Sequence, residues 1–348
     1  MSADTVRKAV GAVLEDFLTA KGIANDRPEL RSLAELLRDF TSEGKRLRPL
    51  LCAIGWQAVG GGAGTESLFR VAASLEMFHA FTLIHDDVMD QSDTRRGRPT
   101  IHQSLASRHG DREPGRRDRL GENAAILVGD LALIWSDELL FKGAAAEDRL
   151  LPVLRVVAEM RTEVMLGQYL DLRATGELSD DVDATLVVNR FKTAKYTIER
   201  PLHIGAALAG ADEEAMEAFT RYALPLGEAF QLRDDLLGVY GDPRLTGKSR
   251  LDDLREAKRT TLVALALGAA DPGQETRLRA LIGNPLLDET DAEEVRALFA
   301  ATGAREGVER MIEERRARAV GALEGSPFTQ EAIRDLTDIA GTATARNS

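Results

Sequence analysis

Apolar residues recur at helical spacing along almost the whole of this 348-residue chain. In the first segment, Val6, Val10, Val13 and Phe17 follow one another at steps of three or four positions, which is typical of one buried face of an amphipathic helix. Similar stripes predict helices at residues 28–40, 46–59, 65–90, 121–142, 148–173, 181–209, 212–239, 260–270, 292–302 and 306–323. The sequence lacks strand-like alternation bounded by turns, so we expect an all-α fold.

The organisation along the chain favours one domain. Residues 107–121 are polar, contain Gly and Pro and carry both charge signs, so we expect a mobile surface loop there. No repeat at a fixed period and no low-complexity linker divides the sequence. We therefore expect a single large domain over residues 1–348 rather than two domains.

Charge and composition restrict the partners and the compartment. A net charge of −12 argues against a general nucleic-acid binder, which needs a basic surface. The one cysteine, Cys52, lies in an apolar run, which predicts a buried thiol in a reducing compartment. The N-terminus carries acids early, unlike a signal peptide, and the apolar run at 124–135 is interrupted by Asp130 and too short to span a bilayer. We expect a cytoplasmic protein with no transmembrane segment.

A first acidic cluster follows directly on the apolar run "MFHAFTLI". Residues four apart are neighbours on a helix surface, so Asp86 and Asp90 point the same way, with Asp87 beside them. Oxygen ligands without Cys or clustered His suit Mg²⁺ rather than zinc. A solvated helix end is the alternative for these acids taken alone. Arg95 and Arg96 follow at once, and acids followed by bases indicate a metal site that also holds an anion.

A second acidic cluster, in "EAFQLRDDLLGVYGDP" at 228–243, repeats this pattern. Gln231, Asp234 and Asp235 fall on one helical face. If the two acidic helices face each other, their carboxylates can bind several Mg²⁺ ions around one diphosphate. Basic residues elsewhere could balance that charge, namely Lys45, Arg46, Arg48, Lys192, Lys195, Lys248 and Lys258.

Five segments in a fixed order carry a family resemblance: "GKRLRP", "HDDVMDQSDTRRGRPT", "GQYLD", "FKTAKY" and "FQLRDDLLGVYGDP" with "TGK" after it. With them the chain resembles the trans-isoprenyl diphosphate synthases, the family of farnesyl and geranylgeranyl diphosphate synthases. The resemblance implies a bundle of antiparallel helices around a central apolar cavity, and a homodimer. It also implies a Mg²⁺-dependent enzyme with three ions per active site. Such an enzyme condenses isopentenyl diphosphate with an allylic diphosphate, head-to-tail and all-trans.

The resemblance also implies roles for individual residues. The implied metal ligands, direct or supporting, are Asp86, Asp87, Asp90, Asp171, Asp234 and Asp235. Arg95 resembles the arginine that binds the allylic diphosphate, and Gln168 is implied to face the metal site. The residues that resemble the isopentenyl diphosphate pocket are Lys45, Arg48, His79 and Arg96. The residues implied to lie near the developing cation are Lys192, Thr193 and Gln231, and those implied to close over the allylic diphosphate are Lys248 and Lys258.

The second acidic motif departs from the family pattern. The family commonly has D-D-x-x-D, whereas this chain has Gly238 at the last position, which removes a carboxylate from the face of Asp234. Because Asp234 and Asp235 remain, we expect metal binding to survive in a weakened form.

Product length is suggested by the residues just before the first acidic cluster. Phe81 lies five positions before Asp86, and its neighbour Thr82 is small. One aromatic with a small neighbour resembles geranylgeranyl (C20) synthases more than farnesyl (C15) synthases, and Phe78, deeper in the helix, argues against very long chains. The alternatives are a C15 or a longer-chain product.

Two functions of other classes remain open from the sequence. A class I terpene cyclase shares the fold and the D-D-x-x-D motif, but its typical N-D-x-x-S-x-x-x-E run is absent, and it has no need for the pocket formed by "GKRLRP". A non-catalytic partner subunit of a heteromeric synthase is the second alternative. Such subunits tend to lose the first acidic motif, which is intact here.

Overall fold

The computed structural model of the chain describes residues 1–24, 27–62, 65–108, 113–146, 148–242 and 249–345. The chain forms two compact units, Met1–Leu154 with Ile204–Ala211, and Arg155–His203 with Asp212–Ser348. A single domain over the whole chain stays a prediction.

The first unit is helical. Its helices are α1 (Ala3–Ile23), α2 (Pro28–Thr41), α3 (Leu47–Ala58), α4 (Thr65–Met89), α5 (Ile101–Ser107) and α6 (Pro114–Ala146). Leu68, Phe78 and Ile84 of α4 are at most 2% exposed, because this helix packs along α6 and also against α3. Cys52 in α3 is fully buried, and burial raises the pKa of its thiol to about 12. The prediction of a buried thiol is confirmed.

The second unit contains most of the remaining helices. In chain order they are α7 (Leu150–Ala174, whose first residues belong to the first unit), α8 (Val182–Asn189), a π-helix (Arg190–Glu199), α9 (Arg200–Ala209, which ends in the first unit), α10 (Glu213–Tyr240), α11 (Asp252–Arg255), α12 (Thr261–Ala269), α13 (Pro272–Leu281), α14 (Glu289–Ala301), α15 (Ala304–Gly321) and α16 (Gln330–Thr344). Asp212, Asp271 and Thr329 cap the helices that follow them by accepting from first-turn N–H groups. The core of this unit lies along α10, where Ala229 and Leu232 are fully buried.

The all-α prediction is confirmed. In the part of the chain that the structure describes, the strands are β1 (Thr94–Arg95) and β2 (Arg98–Pro99), one short antiparallel pair. The predicted helix at 181–209 contains the π-helix, and the sequence patterns missed α5, α11, α13 and α16.

The prediction of a loop over 107–121 is wrong for residues 114–121. There α6 begins at Pro114, because proline is well suited to a first helical position, where its N–H is not needed and its φ is already helical. Ser107 ends α5, and residues 109–112 lie outside the described residues.

The long helix α4 is, among the described residues, the helix whose length and composition would allow it to cross a membrane. The sequence prediction considered only the run at 124–135 and passed over this one. In the structure, 72% of the apolar window of α4 is buried inside the protein, as in a core helix.

Candidate active site

The first acidic cluster lies at the C-terminal end of α4. The Asp90 N–H donates to the carbonyl of Asp86 at 2.8 Å, so the helical hydrogen-bond pattern continues through the cluster. Asp86 and Asp90 therefore lie one turn apart on the same side, as predicted. The Asp87 side chain is only 1% exposed, whereas that of Asp86 is 22% exposed and Asp90 is exposed. Two accessible carboxylates thus lie beside a buried one.

A tight hairpin follows this cluster and explains the segment "TRRGRP". Strands β1 and β2 pair Arg95 with Arg98, and the two residues between them, Arg96 and Gly97, have φ values of 53° and 71°. Two left-handed residues in succession are the geometry of a type I′ hairpin turn, which favours glycine at its second position. A left-handed arginine is an uncommon conformation. The hairpin turns the chain back and brings Arg95 to the end of α4.

Arg95 holds the buried member of the cluster. Its Nε donates to Asp87 Oδ1 at 2.8 Å, and its Nη2 lies 2.7 Å from the same oxygen and 3.6 Å from Asp86 Oδ2. Burial raises the pKa of Asp87, and the hydrogen bond and charge of Arg95 oppose that rise. The second oxygen, Asp87 Oδ2, is buried and has no hydrogen-bond partner among the residues that the structure describes. A buried lone pair of this kind suits a donor or a cation brought by a ligand.

Several positively charged side chains lie near His79, which is seven residues, or about two helical turns, before Asp86. Burial lowers the pKa of His79 well below its ordinary value, and the charges of Arg48, Arg96 and Arg95 lower it further. These charge effects require proximity, so the structure brings three of the predicted pocket residues together. Because the imidazole is neutral there, His79 offers one N–H donor and one acceptor rather than a further charge.

A buried carboxylate, Glu76, balances part of this charge. It is 6% exposed, and burial raises its pKa against the opposing charges of Arg48, Arg46 and Arg96. Arg96 also donates from Nη1 to the carbonyl of Glu43 at 2.7 Å. Among the described residues, the charges that act on the Glu76 carboxylate are the guanidinium groups of Arg48, Arg46 and Arg96, so positive charge predominates around Glu76, which favours an anion.

Lys45 follows Gly44, where an added Cβ would lie 3.4 Å from Arg96 Nη1 and 3.6 Å from Glu76 Oε1. It is exposed, and its backbone carbonyl accepts from Arg7 Nε at 3.3 Å.

The aromatic residues predicted to set product length pack on one another within α4. The ring of Phe81 lies 5.4 Å from that of Phe78 and 4.7 Å from the His85 imidazole, measured between centroids. Phe81 and Phe78 are 6% and 2% exposed. Thr82 Oγ1 instead donates to the backbone carbonyl of His79 at 2.9 Å.

In the second unit, the motif "FKTAKY" lies on the π-helix, between two glycines of other helices. A Cβ at Gly167 of α7 would lie 2.3 Å from the backbone N of Lys192, and a Cβ at Gly227 of α10 would lie 2.4 Å from Cα of Ala194. Both distances are far below van der Waals contact, so only glycine allows such close packing of backbones. π-Helical turns concentrate at functional sites because they reorient side chains within a helix.

A chain of polar groups joins the π-helix to the second acidic cluster. Thr193 Oγ1 donates to Gln231 Oε1 at 2.7 Å, and Gln231 Nε2 donates to Asp235 Oδ1 at 2.8 Å. Asp235 is 3% exposed, and burial raises its pKa to about 7. Asp234 beside it is partly exposed. As in the first cluster, an accessible carboxylate lies beside a buried one.

The lysines of this unit are paired with carboxylates. Lys192 Nζ lies 2.6 Å from Asp171 Oδ2, and Lys258 Nζ lies 3.5 Å from Asp253 Oδ2. The pKa of Lys258 is raised first by Asp253 and further by Asp235, Asp171 and Asp234, which outweighs the cost of burial. Gln168 is partly exposed on α7, one turn from Asp171. Lys248 lies outside the described residues.

Lys195, named with the basic residues above, serves the structure instead. Its ammonium group pairs with Glu163 of α7 and lies 3.8 Å from Glu199. Arg200 binds the same Glu163 through Nε at 2.7 Å. This network connects the π-helix to α7.

The donor chemistry of both clusters fits Mg²⁺. In the described ranges, no three His, Cys, Asp or Glu side chains lie close enough together to form a complete metal site. Mg²⁺ does not need one, since it keeps several waters and binds through one or two carboxylates plus substrate phosphates. Asp86, Asp90 and Asp234 are the accessible carboxylates, and Asp87 Oδ2 has unused acceptor capacity.

Sequence reasoning missed two acidic residues of these sites, Glu76 and Asp253. A charged residue inside the apolar run "ASLEMFHAF", three positions before His79 and hence on the same helical face, is a signal that could have identified Glu76. Asp253 has no comparable local signal, because its contact with Gly238 joins two different helices.

The all-helical fold and the acidic clusters with adjoining arginines define a transferase of the isoprenoid synthase fold. The chain belongs to the polyprenyl synthetase family, whose model matches residues 30–301, and it is a prenyltransferase enzyme of that family. A crystal structure of geranylgeranyl pyrophosphate synthase from Corynebacterium glutamicum, complexed with isoprenyl diphosphate and magnesium, is similar over 100% of both chains, with a TM-score of 0.94 and 37% identity.

Two curated relatives extend the comparison. Geranylfarnesyl diphosphate synthase of Aeropyrum pernix is 33% identical over 75% of this chain and 77% of its own length. Geranylgeranyl diphosphate synthase of Mycobacterium tuberculosis is 34% identical over 81% of this chain and 75% of its own length.

Proposed function

We propose that this protein condenses isopentenyl diphosphate with allylic diphosphates, head-to-tail and all-trans, using Mg²⁺ with three ions per active site. The observation that carries the proposal is the contact of Arg95 with Asp87 Oδ1 at 2.7 Å, which ties a cluster of acids to a cluster of bases. The acids suit a metal ion and the bases suit a phosphate group, so one site can hold a metal diphosphate. The magnesium and isoprenyl diphosphate in the Corynebacterium glutamicum enzyme support the same conclusion.

In this proposal the accessible acids bind metal and the buried acids support them. Asp86, Asp90 and Asp234 are the direct ligands. Asp87 and Asp235 are held by Arg95 and Gln231, so each fixes the position of its neighbour. Asp171 acts through its ion pair with Lys192, and Gln168 faces the metal from the same helix. Bound Mg²⁺ neutralises the diphosphate and thereby makes it a better leaving group.

The basic residues divide between the two diphosphates. Arg95 binds the allylic diphosphate, with Lys258 and Lys248 closing over it. Arg48, Arg96, His79 and Lys45 bind isopentenyl diphosphate. The excess of positive charge around Glu76 is the electrostatic basis of this second assignment.

The reaction then proceeds by ionisation and attack. The C1–O bond of the allylic substrate breaks, and the pyrophosphate leaves with the electron pair. The double bond of isopentenyl diphosphate attacks C1 through its terminal carbon, and a proton lost to the departing pyrophosphate restores a double bond. The oxygens of Thr193 and Gln231 face the developing positive charge, and Lys192 contacts the diphosphate.

The main product in this proposal is geranylgeranyl diphosphate. Its support is the single aromatic Phe81 beside the small Thr82, and the names of relatives such as the Mycobacterium tuberculosis enzyme. The A. pernix relative is named for a longer product, so a longer chain is the principal alternative, with C15 the other. Replacing Phe81 by Ala should lengthen the product, and replacing Thr82 by Phe should shorten it. Mass spectrometry of the products distinguishes these outcomes from unchanged length, which would contradict the assignment.

We also propose a homodimer that forms through α6. Leu127, Ile134 and Phe141 are 66%, 61% and 45% exposed, and their spacing of seven residues places them on one side of the helix. Exposed apolar patches of this kind mark interaction surfaces. Joint replacement of Leu127 and Ile134 by Glu should give a monomer in analytical ultracentrifugation, whereas Leu286→Glu, at a still more exposed leucine outside α6, should not. A monomeric parent protein contradicts the proposal.

Charge and cysteine content support a proposal about cellular location and partners. We propose a cytoplasmic enzyme without a nucleic-acid partner, supported by the net charge of −12 and the buried single thiol.

Release of pyrophosphate tests the reaction class. Purified protein should release it only when isopentenyl diphosphate, an allylic diphosphate and Mg²⁺ are all present, and EDTA should stop the release. Release from the allylic substrate alone would indicate a cyclase or hydrolase, and no release from the complete mixture would contradict prenyl transfer by this protein alone.

A further inference from the structure

The glycine at the end of the second acidic motif lies against an aspartate from another element. A Cβ at Gly238 of α10 would be 2.2 Å from Asp253 Oδ2 and 3.0 Å from its Cγ. The carboxylate of Asp253 therefore occupies the volume into which a side chain at position 238 would extend. Glycine is unfavourable inside a helix, and its presence here is explained by this contact.

Asp253 is integrated into the acidic cluster. It lies on α11, its side chain is 20% exposed, and its Oδ2 is 3.5 Å from Lys258 Nζ. The Lys258 N–H also donates to the Asp253 carbonyl at 3.0 Å, so backbone and side chain hold the same lysine. Gly238 lies four residues after Asp234 on α10, so the Asp253 carboxylate that lies against it is on the same helical face as Asp234.

We propose that Asp253 supplies, from outside the motif, the carboxylate that Gly238 lacks, and that position 238 is glycine because Asp253 fills its side-chain space. Asp253 is then a positioning residue of the second metal cluster, which it serves together with Lys258. This inference rests on the proposed function of that cluster. It replaces the expectation of weakened metal binding with that of a second cluster whose last acid comes from another helix.

The spatial part is tested by exchanging the carboxylate. Gly238→Asp should lower the melting temperature of the metal-free protein, because two carboxylates then compete for one volume. The double variant Gly238→Asp with Asp253→Gly should melt above the Gly238→Asp single variant, a non-additive result expected only of residues in contact. Gly341→Ala, at a helical glycine with nothing within 4 Å of the added Cβ, controls for helix propensity. If the changes in melting temperature caused by Gly238→Asp and Asp253→Gly were additive, the claim that Asp253 fills the side-chain space of position 238 would be overturned.

The functional part is read from metal binding without turnover. Calorimetric titration of the protein with Mn²⁺ and inorganic pyrophosphate should show about tenfold weaker binding by the Asp253→Asn variant than by the parent. This substitution keeps the side-chain volume and removes the charge. The exchange variant should recover most of the parent affinity. Unchanged binding by Asp253→Asn, or no recovery in the exchange variant, would overturn the role. A parent that binds but transfers no prenyl group would contradict only the proposed function, whereas a parent that does not bind would contradict both.

Discussion

Thr193 donates a 2.7 Å hydrogen bond to Gln231, whose amide in turn donates to the buried carboxylate of Asp235 at 2.8 Å. Both ends of the Gln231 amide are therefore engaged, and its orientation is fixed. The accessible lone pairs of Thr193 and Gln231 form a small group of oriented dipoles, which is what stabilisation of a transient cation requires.

Replacing Thr193 by Val should slow the chemical step. Valine has nearly the same shape, so packing is kept while the hydroxyl dipole is lost and Gln231 is released. We expect kcat to fall by about 10²-fold with little change in KM. Thr162→Val, at an exposed threonine of α7, should leave both constants unchanged. A large rise in KM with unchanged kcat would indicate a role in substrate binding instead.

Replacing Asp86 by Ala should remove activity and leave the fold intact. Its contact with Arg95 is long, 3.6 Å, so the loss of stability should stay within about 1 kcal/mol. Loss of a direct metal ligand should reduce kcat/KM by about 10³-fold, measured at saturating Mg²⁺. The matched control is Glu66→Ala at the other end of α4, an exposed acid paired with Arg70. Activity close to that of the parent would show that Asp86 binds no metal.

Replacing Gly167 by Ala should destabilise the protein, because the added methyl group meets the backbone of Lys192 at 2.3 Å. Backbone cannot move aside as a side chain can, so we expect a loss of about 3 kcal/mol in the free energy of unfolding, measured with urea. Gly341→Ala adds the same group in open space and should be neutral or stabilising by up to about 1 kcal/mol. Equal effects of the two substitutions would mean that α7 and the π-helix do not pack as described.

Buried His203 should make stability depend on pH. Burial lowers its pKa from 6.5 to about 4, and the neutral ring bonds the Met216 carbonyl through Nε2 at 3.0 Å and Arg200 Nη1 through Nδ1 at 3.3 Å. Between those two pKa values the unfolded state binds a proton that the folded state does not. The contribution is therefore fully present above pH 6.5 and is lost as the pH falls towards 4, by up to about 3 kcal/mol.

The measurement is urea unfolding across this pH window, with His203→Gln as the comparison. That variant cannot take up the proton, so its stability should vary less with pH over the same range. Identical slopes for the parent and the variant would mean that folding does not lower the pKa of His203.

Local sequence signals were sufficient for most of the long helices and for the first acidic cluster. Helical periodicity predicted α4 almost to its ends, because apolar residues at helical spacing over several turns are typical of a helix and not of a strand. Because Asp86 and Asp90 are four residues apart, the sequence also predicted that both side chains lie on the same side of the helix. Arg95 and Arg96, which follow the acids directly, indicated that bases lie beside the acidic cluster.

The π-helix could not be predicted in this way. Over ten residues, side-chain periodicity does not separate the wider π-helical turn from an α-helical one, and the cause lies in distant glycines, Gly167 and Gly227. The pairing of Asp253 with Gly238 is likewise tertiary, so position 238 read only as a missing acid. The burial of individual acids could not be predicted either. Asp87 and Asp235 are buried while Asp86 and Asp234 are accessible, and the sequence has no signal that separates them.

Product analysis of the purified protein tests the central claim most directly. Isopentenyl diphosphate and Mg²⁺ are supplied with dimethylallyl, geranyl or farnesyl diphosphate in turn, and the prenyl chains are identified by mass spectrometry. Prenyl transfer with Phe81 and Thr82 at the chain-length position predicts a dominant C20 product from each primer. A stop at C15, or chains beyond C25, would contradict the assignment of product length. No prenyl product from any of the three primers would contradict prenyl transfer itself.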